Sequence, residues 1–138
     1  MSVSADAHPN HEAGSAGRWQ VGPRRPRLPD SVVDVWRADL DEVGDGPAKT
    51  LSREEREREA GIAGARERRA WSRSRGVLRE LLGRYLRCDA SEVMLAVDAR
   101  GKPSLAGPAP VAPLCFNLSH SGELALYAFS ADAPVGID

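Results

Sequence analysis

No stretch of the 138 residues approaches the roughly 20 consecutive apolar residues that cross a bilayer. The first twenty residues also lack the apolar centre of a secretory signal. The sequence is therefore expected to work in the cytoplasm, away from membrane. Cysteine is scarce. Cys88 and Cys115 are the only two, far apart and without ligand spacing, which excludes a disulfide framework and a cysteine metal site and leaves reduced, packed thiols. Aromatic residues form no stacking motif, basic and acidic residues are interleaved, and the net charge is −1. That balance argues against a nucleic-acid coat. Lysine is nearly missing too, since seventeen of the nineteen basic residues are Arg. Only Lys49 and Lys102 are Lys, and Lys102 stands out against that background.

What remains is enough for one domain. Residues 1 to about 30 mix Ser, Ala, Gly, His and Pro around Pro23-Arg-Arg-Pro-Arg-Leu-Pro29, which reads as a disordered tail. His8 and His11 lie in it without carboxylate or thiol company, too few for a fixed metal site. The Arg-Pro segment is an extended linker or a basic arm for an acidic partner. Ser31 to Leu40 reads as the first strand, and Asp41 to Pro47, with two glycines and a proline, ends it. Leu51-Ser-Arg-Glu-Glu starts a helix: Ser52 caps free amides while Glu55 reaches back in a capping box. Gly61 and Gly64 end it. The charges of alternating sign from Arg53 to Glu59 read as a solvated face, with phosphate binding by Arg53, Arg56 or Arg58 the sharper alternative.

Arg66 to Leu86 is the longest predicted helix. At ~100° per residue, Trp71, Ser74, Leu78, Leu81, Leu82, Tyr85 and Leu86 share an arc about 140° wide, the face expected to pack on a sheet. Arg69, Arg73 and Arg84 are placed on the solvated side. Arg75 falls inside the apolar arc. A buried guanidinium without an anion is costly, so either its stem snorkels or it meets a phosphate or carboxylate at a cleft.

Val93 to Val97 reads as a strand and Asp98-Ala-Arg-Gly101 as a turn, with Gly101 at positive φ. Pro103 biases Lys102 to extended geometry, which holds a cation at a strand end. Ala106 to Pro113 reads as a loop. In Phe116-Asn-Leu-Ser-His-Ser-Gly122 and the Leu124 to Phe129 run after it, a polar turn, Ser119 to Gly122, sits between two short apolar runs. Val135-Gly-Ile-Asp138 reads as a third strand-like run ending in a carboxylate. A serine hydrolase built on Ser119 or Ser121 with His120 is disfavoured, because adjacent residues of an extended chain point to opposite faces and no Gly-x-Ser-x-Gly elbow is present.

The arginine-bearing helix, Gly101-Lys102-Pro103, Phe116 to Gly122 and Val135 to Asp138, in that order, resemble the Sfp-like 4′-phosphopantetheinyl transferases from roughly Val33 onward. The resemblance implies an α/β (α+β) fold, a small sheet packed against one long helix, as the N-terminal half of a pseudo-symmetric pair. It implies transfer of 4′-phosphopantetheine from coenzyme A to a serine of an acyl or peptidyl carrier protein, with Mg²⁺ on the pyrophosphate. Arg75, Lys102, Ser119 and His120 would bind coenzyme A, and Asp138 would be a metal ligand. No catalytic residue is assigned within the chain, because the general base is expected in the other half. The second carboxylate two residues on and the later Trp-x-x-Lys-Glu helix are missing. The expectation is thus residues 31–138 as a half-domain, of doubtful activity alone, with an exposed edge open to self-association or to pairing with the missing half. A non-catalytic module for coenzyme A or carrier protein is the alternative.

Overall fold

Alternation along two central strands sets the architecture. In Val33–Asp39 (β3) and Leu124–Ser130 (β7), Trp36, Ala38, Ala125, Tyr127 and Phe129 are all 0% exposed, each two residues from the next of its strand. The register places Trp36 opposite Tyr127 and Ala38 opposite Ala125, so the buried rows share one face. The computed structural model describes residues 3–6, 20–110, 113–132 and 134–137. Val3–Asp6 (β1) and Gln20–Val21 (β2) extend the sheet on one side, and Cys115–Ser121 (β6) on the other. The antiparallel order is β2-β1-β3-β7-β6. The two pairings of β1 and β2 come from the segment whose composition reads as a tail. Four residues and two residues are too short for periodicity to reveal them.

Ala65–Leu86 (α3) covers the buried face, with Val77, Leu78, Leu81 and Leu82 all 0% exposed. Each such side chain contributes roughly 1.5–3 kcal/mol by leaving water. The Tyr127 hydroxyl donates to the Ser74 carbonyl at 2.7 Å, which satisfies the one polar atom of that ring under the helix. The mixed α/β arrangement of antiparallel sheet and long helix is the fold expected.

The helix has more than one buried face. Every residue from Ser72 to Arg79 is buried, because Leu40–Val43 (α1) and the 3-10 turn Pro47–Thr50 pack on its second side. Gly76 permits this: a Cβ there would collide with the Pro47 carbonyl. Arg73, expected in solvent, is 9% exposed. It donates to Asp45 Oδ1 and to the Leu40 carbonyl, each at 3.0 Å. Arg84 lies with its guanidinium 5.5 Å from the Trp36 ring centre. A one-sided reading of helical periodicity cannot see a second packing partner.

Two further expectations change. Ser119, His120 and Ser121 belong to β6, and the reversal comes at Gly122-Glu123. Gly122 has φ +58, which makes it the residue able to turn the chain there. Among the described residues, Pro134 to Ile137 form no strand. Met94–Val97 (β4) and Pro103–Gly107 (β5) form a separate two-stranded antiparallel hairpin, so part of the expected loop after Pro103 is strand.

Candidate functional site

Ser52 ends an extended segment at φ −71 and ψ 168 and caps Arg53–Ala60 (α2), its Oγ accepting from the Glu55 amide at 3.2 Å. Glu55 Oε1 accepts from the Ser52 amide at 2.9 Å, completing the capping box. The same carboxylate, only 7% exposed, is also the hub of a buried ion cluster. Arg79 Nε donates to Oε1 at 2.5 Å, while Arg79 Nη1 donates to the carbonyls of Val93 at 2.5 Å and Ala90 at 3.2 Å. Arg79 thereby ties α2 to the chain entering β4.

Arg75 completes the cluster. It is 4% exposed, its Nη1 stands 3.6 Å from Glu55 Oε2, and its guanidinium lies 5.0 Å from the centre of the Trp71 ring. Of the two outcomes open to a guanidinium in the apolar arc, this is the carboxylate partner. Oε2 itself has no hydrogen-bond partner among the described residues. Burial lowers the Arg75 pKa; Glu55 opposes that effect, and Arg58 and Arg79 add to it.

Arg58 lies one helical turn beyond Glu55 on α2, exposed, and reaches the β4–β5 turn. Its guanidinium occupies the space a Cβ on Gly101 would take. Gly101, at φ +84, both turns the chain and admits Arg58. Asp98 builds the rest of the turn, its Oδ1 accepting from the amides of Arg100 at 2.8 Å and Lys102 at 2.9 Å. The Lys102 backbone is thus fixed while its side chain stays exposed. Arg58 thus lies against Gly101, next in the chain to Lys102, and among the described residues neither cation has a carboxylate partner. Such a pair can hold a phosphate through charge-assisted bonds.

His120 comes from the edge strand. It stands opposite Ala125, in the row of β6 that also carries Phe116 and Leu118 on the helix side. Arg66 Nε meets Glu123 Oε1 at 3.2 Å and Tyr127 meets Ser74, so β7 follows α3 from its first turn to its middle. Ala125, the partner of His120, falls between those two levels of β7. The ring is exposed, yet protein on one side lowers its pKa by desolvation. Ser119, opposite Leu126, leaves the strand on the other face. The two side chains do not converge.

The structure thus groups Arg75 with Glu55 and Arg79 beneath the surface and Arg58 with Gly101-Lys102 at it. Asp138, the expected metal ligand, lies outside the described residues. Among the described residues no three His, Cys, Asp or Glu side chains form a group that could hold a metal ion. The part played by Glu55 and Arg79 is not apparent from the sequence, although one signal was there. Arg79 falls only about 20° outside the apolar arc of α3, one turn after Arg75.

Residues 36–132 match the family described as 4′-phosphopantetheinyl transferase, N-terminal. The chain is 36% identical over 123 residues to the 4′-phosphopantetheinyl transferase HetI of Nostoc sp., a match covering 87% of this chain and 52% of that protein. It is 33% identical over 92 residues to the human L-aminoadipate-semialdehyde dehydrogenase-phosphopantetheinyl transferase, covering 65% of this chain and 30% of that one. The chain spans about half the length of the first of these relatives and less of the second. With the family match extending over more than two thirds of its residues, the chain belongs to the 4′-phosphopantetheinyl transferase N-terminal family.

Proposed function

We propose that the chain supplies the coenzyme A-binding half of a cytoplasmic transferase that moves 4′-phosphopantetheine from coenzyme A to a serine hydroxyl of an acyl or peptidyl carrier protein. The observation that carries this reading is Arg58 lying against Gly101 beside Lys102, two cations without ion-pair partners among the described residues. Coenzyme A offers them a phosphomonoester, and each charge-assisted bond contributes roughly 1.5–3 kcal/mol. His120, on an exposed strand edge, adds a donor that gains charge when an anion approaches. Ser119 contributes through its main chain on that side. Arg75 adds positive field from below, with Glu55 already at its guanidinium.

In the reaction, the carrier serine oxygen bonds to phosphorus, its proton leaves to a base, and the bond to adenosine 3′,5′-bisphosphate breaks. The described residues hold and orient the leaving nucleotide through its phosphates. Mg²⁺ on the pyrophosphate would be held by the phosphates and a carboxylate, with Asp138 the candidate on this chain. Pairing with a second half, or with another copy, would complete the cleft.

Calorimetric titration with coenzyme A and with adenosine 3′,5′-bisphosphate tests the reading. Binding of both, weakened about tenfold by Lys102→Ala or Arg58→Ala, is the expected result. Unchanged affinity in both variants would refute the site. Carrier-protein modification by the chain joined to its other half separates the transferase from a non-catalytic binding module.

A further inference from the structure

A second cationic surface lies at the far end of α3. Arg24 and Arg25, from the Pro-Arg segment, face Arg84 and Arg87 across an open groove of about 830 Å³. Nine residues of helix, roughly 13 Å, separate Arg84 from Arg75. Arg58, Gly101 and Lys102 do not line this groove. Arg87 also lines an adjoining hollow of about 440 Å³, together with Arg27 and the apolar Pro26, Leu28, Tyr85 and Leu114.

Five arginines gather at this end of the helix. Arg53, Arg66, Arg73, Arg75 and Arg79 each have a carboxylate partner. Among the described residues, Arg24, Arg25, Arg27, Arg84 and Arg87 form no ion pair within 4.0 Å; Glu80, Asp89 and Glu92 line the same groove, and the Arg84 charge acts on the Glu80 carboxyl. Arg84 is held by the Pro23 carbonyl at 3.4 Å and by stacking on Trp36. Its contact with Pro23 anchors the Pro-Arg segment to the helix end. Arg87 has φ +58, the left-handed position after a helix that glycine takes without strain. A guanidinium is thus displayed at a backbone cost, between the charged groove and the apolar hollow.

We propose that this end of α3 is a docking surface for an acidic, amphipathic segment of a partner protein. The partner's carboxylates meet the arginine groove, and its apolar side chains fill the hollow beside Tyr85 and Leu28. Charge complementarity selects the sign of the partner, and the hollow selects a peptide over a bare polyanion. The proposal stands apart from the coenzyme A reading, and its test requires no transfer activity.

The test uses the purified chain and a short labelled synthetic peptide of alternating Glu pairs and Leu, followed by fluorescence anisotropy. Saturable binding that weakens as salt rises is expected. Arg87→Gly removes the guanidinium and the left-handed strain together. Its thermal midpoint should hold or rise while peptide affinity falls about fivefold or more. Arg24→Gln with Arg25→Gln, on an exposed segment, should lower affinity to a similar extent. Absence of peptide binding overturns the proposal, as does unchanged affinity in both variants. Equal affinity for an all-Glu peptide, double-stranded DNA or inorganic triphosphate also overturns it, because the hollow would then play no part.

Discussion

Arg79 donates through Nε to the Glu55 oxygen that also accepts the Ser52 amide, so one carboxylate caps α2 and locks it to α3. Through Nη1, Arg79 also holds the chain entering β4. Arg58 rides on α2 and Lys102 on the turn between β4 and β5. The relative position of the two exposed cations is therefore set by a buried contact that touches neither.

Removing Glu55 should expose this dependence. Glu55→Ala leaves Arg75 and Arg79 buried without their carboxylate, and breaking a buried pair in this way costs about 3–5 kcal/mol. The Ser52 amide loses its acceptor as well, a net hydrogen bond worth about 0.5–1.5 kcal/mol, while Ser52 Oγ still caps the backbone amide of residue 55. Urea denaturation should show a loss of that order. Arg53→Ala is the control, because its pair with Glu57 is exposed at 90% and 69% and should change stability by less than about 0.5 kcal/mol. Similar midpoints for the two variants would show that the cluster is not a structural hub.

Gly76→Ala opposes two effects of known sign. Alanine improves helix propensity by up to about 1 kcal/mol. Its methyl group, however, would collide with the Pro47 carbonyl, a backbone atom that cannot move aside alone. Overpacking of this kind costs about 1–3 kcal/mol, so net destabilisation is expected in chemical denaturation. Gly83→Ala should behave alike, its Cβ only 2.7 Å from the Cys88 carbonyl oxygen. A rise in stability for either variant would mean the helix can shift away from its second packing partner.

Elements governed by local rules were legible in the sequence. The capping box at Ser52 and Glu55, the span of α3 and the positive φ of Gly101 follow from side chains within a few residues of each other. Arg75 was legible as an anomaly, and its partner was not, because Glu55 is twenty positions away and periodicity carries no long-range information. Arg73 was misplaced for the same reason: its partner Asp45 belongs to a loop that covers a second face of the helix. The polar triplet Ser119 to Ser121 looked like a turn, yet an edge strand tolerates polar residues that a central strand would have to bury.

Both tyrosines of the chain should resist ionisation. Burial raises the pKa of Tyr85, with its hydrogen bond to Asp34 at 2.6 Å acting in the same direction, and burial likewise raises that of Tyr127. The folded values lie above the unfolded value of 10.0, so the stabilisation is complete below that pH and is lost as pH rises beyond it. Tyrosinate absorbance in an alkaline titration should therefore appear only with unfolding, as a single cooperative step for both rings. A gradual rise near pH 10 with circular dichroism unchanged would show that the rings are accessible.

His120 provides a pH test of the anion site itself. Desolvation holds its folded pKa below 6.5, so the unfolded chain binds the extra proton first as pH falls. Its stabilising contribution is complete above 6.5 and is lost as pH drops through the folded value. An anion beside the ring favours the charged form and reverses the shift. In proton NMR, the His120 resonance should titrate below 6.5 in the free chain and move upward when adenosine 3′,5′-bisphosphate is added. Nucleotide affinity should accordingly increase as pH is lowered from 8 toward about 6. In His120→Ala that pH dependence should flatten while the Lys102 and Arg58 contributions persist. A histidine resonance that ignores the nucleotide, with wild type and His120→Ala showing the same pH profile, would remove His120 from the site and leave the Arg58–Lys102 turn as its whole extent on this chain.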